Sequence, residues 1–135
     1  MDFSAKRILV VGASGVLGGE ITRMLSRAGA QVLGTASSQE SAAHIPSDAA
    51  LRLVADLGSA ESIKVLTDYL VANEPIDGIV VAAGRVGFGM AAETSAQQVA
   101  ALTQVNFGGP AQLITELLPA LRGREDTFIA AIKIG

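Results

Sequence analysis

Three glycines spaced three apart, Gly12, Gly15 and Gly18, stand between a four-residue apolar run, Ile8 to Val11, and a stretch with helical periodicity. An apolar run that short, bounded by Lys6-Arg7 and by Gly12, reads as a strand buried on both faces. Beyond the glycines, Leu17, Ile21, Met24, Leu25 and Ala28 recur at helical spacing and predict an amphipathic helix with that face inward. Gly29 ends it, as a glycine just past a helix C-terminus does. Strand, glycine turn and helix in that order suit a phosphate. Gly12 turns the chain sharply out of the strand, Gly15 lacks a Cβ and admits a pyrophosphate close to the backbone, and Gly18 lets the helix pack on the sheet. The first N–H groups of the helix, with the Ser14 hydroxyl, then face the phosphates. The plainer alternative is a structural turn that holds no ligand.

Four further strands are expected at Gln31 to Thr35, Leu51 to Ala55, Ile79 to Ala83 and Phe128 to Ile132. Ser37 to Ser47 is polar and is expected to carry one short helix that ends before Pro46. Ser59 reads as the N-cap of a helix that turns Ile63, Leu66 and Leu70 inward; Ser62 stands where a full capping box has Glu or Gln. Ser95 to Val105 predicts another helix. Leu113, Leu117 and Leu121 mark the apolar face of the next, with Pro110 near its start and Pro119 near its end. Strands alternating with helices predict an α/β, doubly wound parallel sheet of order 3-2-1-4-5, with ligands at the carboxyl ends near the switch between strands one and four.

Composition narrows the function. Of 135 residues, 50% are hydrophobic and 17% charged, which excludes a disordered chain. Ten basic residues against 13 acidic ones leave a net charge of −3 and no basic stripe for nucleic acid. Without cysteine there is no disulfide framework or thiolate metal site, and no metal is expected. Met1 to Arg7 has no apolar leader core, and Ile79 to Ala92 is broken by Gly84 and Arg85, well short of the roughly 20 residues of a membrane span. The expectation is a soluble, cytoplasmic protein with neither nucleic acid nor membrane as partner.

Asp56-Leu57 and Ala82-Ala83-Gly84 fall at the carboxyl ends of strands three and four. Asp56 either accepts a hydrogen bond from an adenine amino group or supplies negative charge to the start of the next helix. His44, the one histidine, sits in a polar segment and reads as an exposed surface residue, and Glu61, Asp68 and Glu74 read as helix-surface charges. Gly87-Phe88-Gly89-Met90 either borders a substrate pocket or forms a plain loop.

Four segments together resemble the short-chain dehydrogenase/reductase family: VVGASGVLG at 10–18, ADL at 55–57, VVAAG at 80–84 and VNFGGPAQLITELLPAL at 105–121. The resemblance runs from Lys6 to about Leu121. It implies one Rossmann-type domain over 1–135 that binds NAD(P)(H). In the complete enzyme, hydride passes between the nicotinamide and a small carbonyl or alcohol substrate. It assigns cofactor contacts to Gly12, Ser14, Gly15, Val16, Leu17, Gly18, Asp56, Leu57, Ala82, Ala83, Gly84 and Val105. Asn106 matches the family's asparagine, which supports a water relay behind the catalytic lysine. At the end of strand two, Thr35-Ala36-Ser37-Ser38 holds no acid for the ribose hydroxyls, which favours NADP(H) over NAD(H). Ser37 and Ser38 then either donate to the 2′-phosphate or form an ordinary polar turn.

Departures from the family are as informative. Val81-Ala82 stand where two asparagines are usual. The family's Ser and Tyr-x-x-x-Lys are absent: Tyr69 is followed by Leu70-Val71-Ala72-Asn73 and is read as a packing residue, and Lys133, near the serine's place, as a solvated lysine. The expectation is therefore a C-terminally incomplete chain, mainly the cofactor-binding part, with no reductase turnover of its own. The alternative is a non-catalytic nucleotide sensor or partner-binding domain. An uncapped fifth strand, and the helix of Leu113, Leu117 and Leu121, which resembles the family's dimer helix, predict a homo-oligomer.

Overall fold

A computed structural model describes residues 1–84 and 94–132. Arg85, Gly87-Phe88-Gly89-Met90 and Lys133 lie outside the described residues. Five parallel strands form one sheet in the order β3-β2-β1-β4-β5: β1 Arg7–Val11, β2 Gln31–Ala36, β3 Leu51–Val54, β4 Gly78–Val81 and β5 Phe128–Ala131. Strand order and fold class are as the sequence predicts. The strand ends shift by one or two residues. Ala82 donates its N–H to the Val11 carbonyl at 2.8 Å, after which the chain leaves the ladder.

β1 lies in the middle and explains the run of apolar residues. Successive side chains of a strand point to opposite faces. Ile8 and Val10 therefore join Val32, Ile45 and Val80 in one core. Leu9 and Val11 join Leu33, Ile63, Ile79 and Leu113 in the other. Both faces are covered, so no polar residue is tolerated on either. The second core is closed by α3 (Ala60–Asn73) and α5 (Gly109–Arg122), which bury Ile63, Leu66, Thr67 and Leu70 against Leu113, Leu117 and Leu121. The Thr67 hydroxyl donates to Glu116 across this contact at 2.5 Å.

α1 (Val16–Arg27) covers the first core, but with a different face from the one its spacing predicts. Its buried residues are Gly18, Gly19 and Thr22. Leu17 is 37% and Met24 62% exposed, Ala28 is exposed, and only Ile21 and Leu25 reach the core as flanking side chains. The cause is proximity: a Cβ on Gly18 would overlap the Gly12 carbonyl, so the helix sits too close to the sheet for large residues on its inner line. The end of α1 is as expected. Gly29 has φ +95°, its N–H reaches the Ser26 carbonyl and the Ala30 N–H reaches that of Leu25, both at 3.0 Å, the Schellman pattern that needs a left-handed residue.

Three short elements complete the chain: α2 (Gln39–Ala42), α4 (Ala96–Thr103) and a single π-helical turn over Gln104–Gly108 that runs into α5. His44 is exposed, as expected. No described helix is long and apolar enough to cross a membrane.

Candidate functional site

At the carboxyl ends of β1 to β4 the chain turns away to both sides, and a cavity of about 190 Å³ opens between the departing loops. Its floor is the glycine turn. Gly12 adopts φ +87°, and a Cβ there would lie 2.8 Å from the Ala83 backbone, so two loop backbones touch where β1 and β4 end. The Ala13 N–H donates to the Thr35 carbonyl at 2.9 Å and ties the turn to β2. Gly15, the N-cap of α1, is extended, and its nearest neighbour to an added Cβ is the Gly12 carbonyl at 3.5 Å, so the surface above it is open.

The start of α1 differs from three other helix starts. Ser38 caps α2, Ser59 caps α3 and Ser95 caps α4, each hydroxyl accepting the N–H three residues on. α1 has no side-chain cap. The N–H groups of its first turn have no acceptor within the helix, and the macrodipole places partial positive charge beside them. A cradle that a Cβ would fill, next to uncapped N–H groups, fits a pyrophosphate.

The structure brings most of the expected residues to this one place. Gly12, Ser14, Gly15, Ser37, Asp56, Leu57, Ala82, Ala83, Gly84 and Val105 all line the cavity. Val16, Leu17, Gly18 and Ser38 do not. Val16 and Leu17 turn their side chains outward, leaving only main-chain groups for a ligand, and Gly18 packs on the turn. The Ser38 hydroxyl serves its own helix: it accepts the Ser41 N–H at 3.2 Å, while Ser41 Oγ accepts the Ser38 N–H at 3.1 Å. The paired serines three apart are a signal for this cap that the sequence reading missed. Val11, Thr35, Ala36 and Ala55 also line the cavity. Each lies at or just past a strand's carboxyl end, and that position was the available signal.

Asp56 is exposed, with Oδ1 accepting the Gly58 N–H at 2.8 Å. A carboxylate has about four lone-pair sites, so this bond leaves acceptor capacity at the cavity. Asn106 lies in the π-helical turn, its Oδ1 3.1 Å from where a Cβ on Gly84 would be. Tyr69, expected to pack, is 39% exposed on α3 and does not line the cavity. An exposed aromatic edge is common on a helix whose inner line is already filled by Leu66 and Leu70. Among the described residues, no group of His, Asp and Glu could hold a metal ion.

The opposite end of the sheet carries a buried, paired carboxylate. Asp77 is 7% exposed and accepts the Arg7 N–H at 2.9 Å and Arg124 Nε at 2.9 Å. Burial pushes its carboxyl up, but the Arg7 N–H, the Arg124 hydrogen bond and the charges of Arg124 and Lys6 outweigh burial and hold it below the usual range. Arg7 also pairs with Glu74, which is thus a half-buried partner rather than the free surface charge its sequence suggests.

A family model described as short chain dehydrogenase matches residues 6–133. The chain is similar to L-xylulose reductase of Caenorhabditis elegans, 32% identical over 123 residues, covering 87% of this chain and 48% of that protein. Among solved structures, a short-chain dehydrogenase from Streptomyces avermitilis superposes with a TM-score of 0.82 at 33% identity, over 98% of this chain and 50% of that one. L-sorbose reductase from Gluconobacter frateurii, complexed with NADPH and L-sorbose, shares the fold with a TM-score of 0.82 at 19% identity, over 97% and 54%. The chain spans about half the length of the curated relatives it matches.

Proposed function

This chain belongs to the short-chain dehydrogenase family, and from that membership we propose that it is the cofactor-holding part of an NAD(P)(H)-dependent oxidoreductase acting on a small carbonyl or alcohol. The observation that carries this reading is the cavity floored by Gly12 and Gly15 beside the uncapped start of α1. When bound, the cofactor supplies or takes up hydride at its nicotinamide. The chain's own part is to bind and orient. The α1 N–H groups and Ser14 hold the pyrophosphate, Asp56 accepts from the adenine amino group, and Leu57, Ala82, Ala83, Gly84 and Val105 form the walls. Asn106, beside Gly84, supports the site by ordering water. Ser37 lies in the wall where β2 ends, without an acid to repel a 2′-phosphate, which supports NADP(H) over NAD(H).

Calorimetric titration with NADPH and NADH tests the reading. Saturable binding with NADPH the tighter ligand is expected, and no binding of either at millimolar concentration to folded protein overturns it. A second reading, nucleotide binding without turnover, is favoured by the place of Tyr69 on α3, away from the cavity. NADPH oxidation in the presence of reactive diketones and aldehydes separates the two. Self-association is also part of the proposal: among the described residues β5 ends the sheet with Ile129, Ala130 and Ala131 exposed, and an open strand edge can pair with a second copy. The face of Leu113, Leu117 and Leu121 is spent on the chain's own core and is unavailable to a partner. Light scattering at high micromolar concentration is expected to show a dimer or larger; a monomer contradicts it.

A further inference from the structure

We infer that Gln104 is a positioning residue that latches the two walls of the cavity together, an inference that rests on the nucleotide-binding reading above. Gln104 opens the π-helical turn, and its Nε2 donates to the Leu57 carbonyl at 3.2 Å, a contact between residues 47 apart in sequence. Its carboxamide lies across Gly108, where a Cβ would stand 2.7 Å from Oε1. The next residue, Gly109, presses its backbone on the same Leu57 carbonyl: a Cβ there would come within 2.5 Å of the oxygen. The Gly109 N–H returns to the Gln104 carbonyl and closes the π-helical ring.

This latch acts on cavity residues from both sides. Leu57 belongs to the loop after β3 that also presents Asp56, and Val105, adjacent to Gln104, lines the same cavity from the π-helical turn. Val105 stands 3.7 Å from where a Cβ on Gly58 would be, and Asn106 follows it towards Gly84. A π-helical turn is rare and is found mostly as a single turn within α-helix, frequently at functional sites, so tertiary contacts decide whether it persists. The Gln104 carboxamide is such a contact, and it joins the adenine side of the cleft to the side bearing Asn106. Groups that bind through backbone and van der Waals contact need that spacing kept to a fraction of an ångström.

Two variants and a rescue test the assignment. Gln104→Met keeps the length and removes the donor, and Gly108→Ala displaces the carboxamide while improving helix propensity. Each is expected to raise the Kd for NADPH about tenfold, the worth of one hydrogen bond, with little change in melting temperature. Gln104→Lys, which again offers a donor, is expected to recover most of the affinity. In the ligand-free protein, the Gly58 and Val105 amides are expected to exchange faster in Gln104→Met. A wild-type Kd in Gln104→Met, or no recovery with Lys, overturns the latch; should Gln104→Met not fold, Gly108→Ala decides in the same way. If the wild-type chain binds neither NADPH nor NADH, the proposed function fails, while the exchange measurement still judges the latch: faster exchange supports it and unchanged exchange overturns it.

Discussion

The two ends of the sheet handle exposed polar backbone in opposite ways. At the amino end, Asp77 is buried and paired with Arg7 and Arg124, and Arg7 with Glu74. At the carboxyl end, the glycine turn presents bare backbone, and α1 starts without a side-chain cap while α3, leaving the same end, starts on Ser59. One end pairs its charged side chains within the chain, and the other leaves main-chain N–H groups without a side-chain cap. Glycine at an N-cap is only a few tenths of a kcal/mol worse than serine, so the open start of α1 costs the fold little. The closer constraint is steric, because what approaches the α1 N–H groups must pass over Gly15.

Breaking the open end at its base has the largest expected effect. Gly12→Ala places a Cβ at φ +87° and 2.8 Å from Ala83. Left-handed strain and overpacking together are expected to remove about 3 kcal/mol, read as a lower urea midpoint. Gly15→Val attacks access rather than fold. It is expected to weaken NADPH binding about 100-fold with a near-unchanged melt, and loss of folding instead would show that Gly15 serves structure.

The amino end is tested by pH. The Asp77 carboxyl lies below its ordinary value of 3.8, so the folded state holds the ionised form more tightly than the unfolded chain. Its contribution is full above the unfolded value and is lost as pH falls through the lower, folded one. Asp77→Asn is expected to cost about 2 kcal/mol at neutral pH and to flatten the acid limb of the stability profile, followed by urea midpoints from about pH 5 to pH 2. An unchanged acid limb would assign the amino end's stability to packing alone. The smallest expected effect sharpens the helix comparison: Ser59→Ala removes the α3 cap and is expected to lose about 1 kcal/mol, with NADPH affinity unchanged.

Much of this was legible in the residues. The apolar runs Ile8 to Val11 and Ile79 to Val81 marked strands covered on both faces, and the alternation of elements led to the strand order. The glycine turn, Asp56 and Gly84 were placed at one ligand cleft because strand ends converge in such a sheet, and they line one cavity. One feature misled. The spacing of Leu17 and Met24 points inward, but the inner line of α1 is Gly18, Gly19 and Thr22. Ser38, read either as a phosphate donor or as part of a polar turn, caps α2.

The sequence by itself determined the class of sheet and the position of the open turn, because periodicity, turn residues and glycine act over a few neighbours; the strand order followed from the alternation of elements and the handedness of their crossovers. Only the tertiary structure decided which face of α1 lies inward, since that depends on how near the helix axis comes to the Gly12 carbonyl. It alone brought Gln104 to Leu57 and Asn106 to Gly84. Those contacts join segments tens of residues apart, and the distances that make them arise from packing two layers of helices on one sheet, which no local pattern encodes.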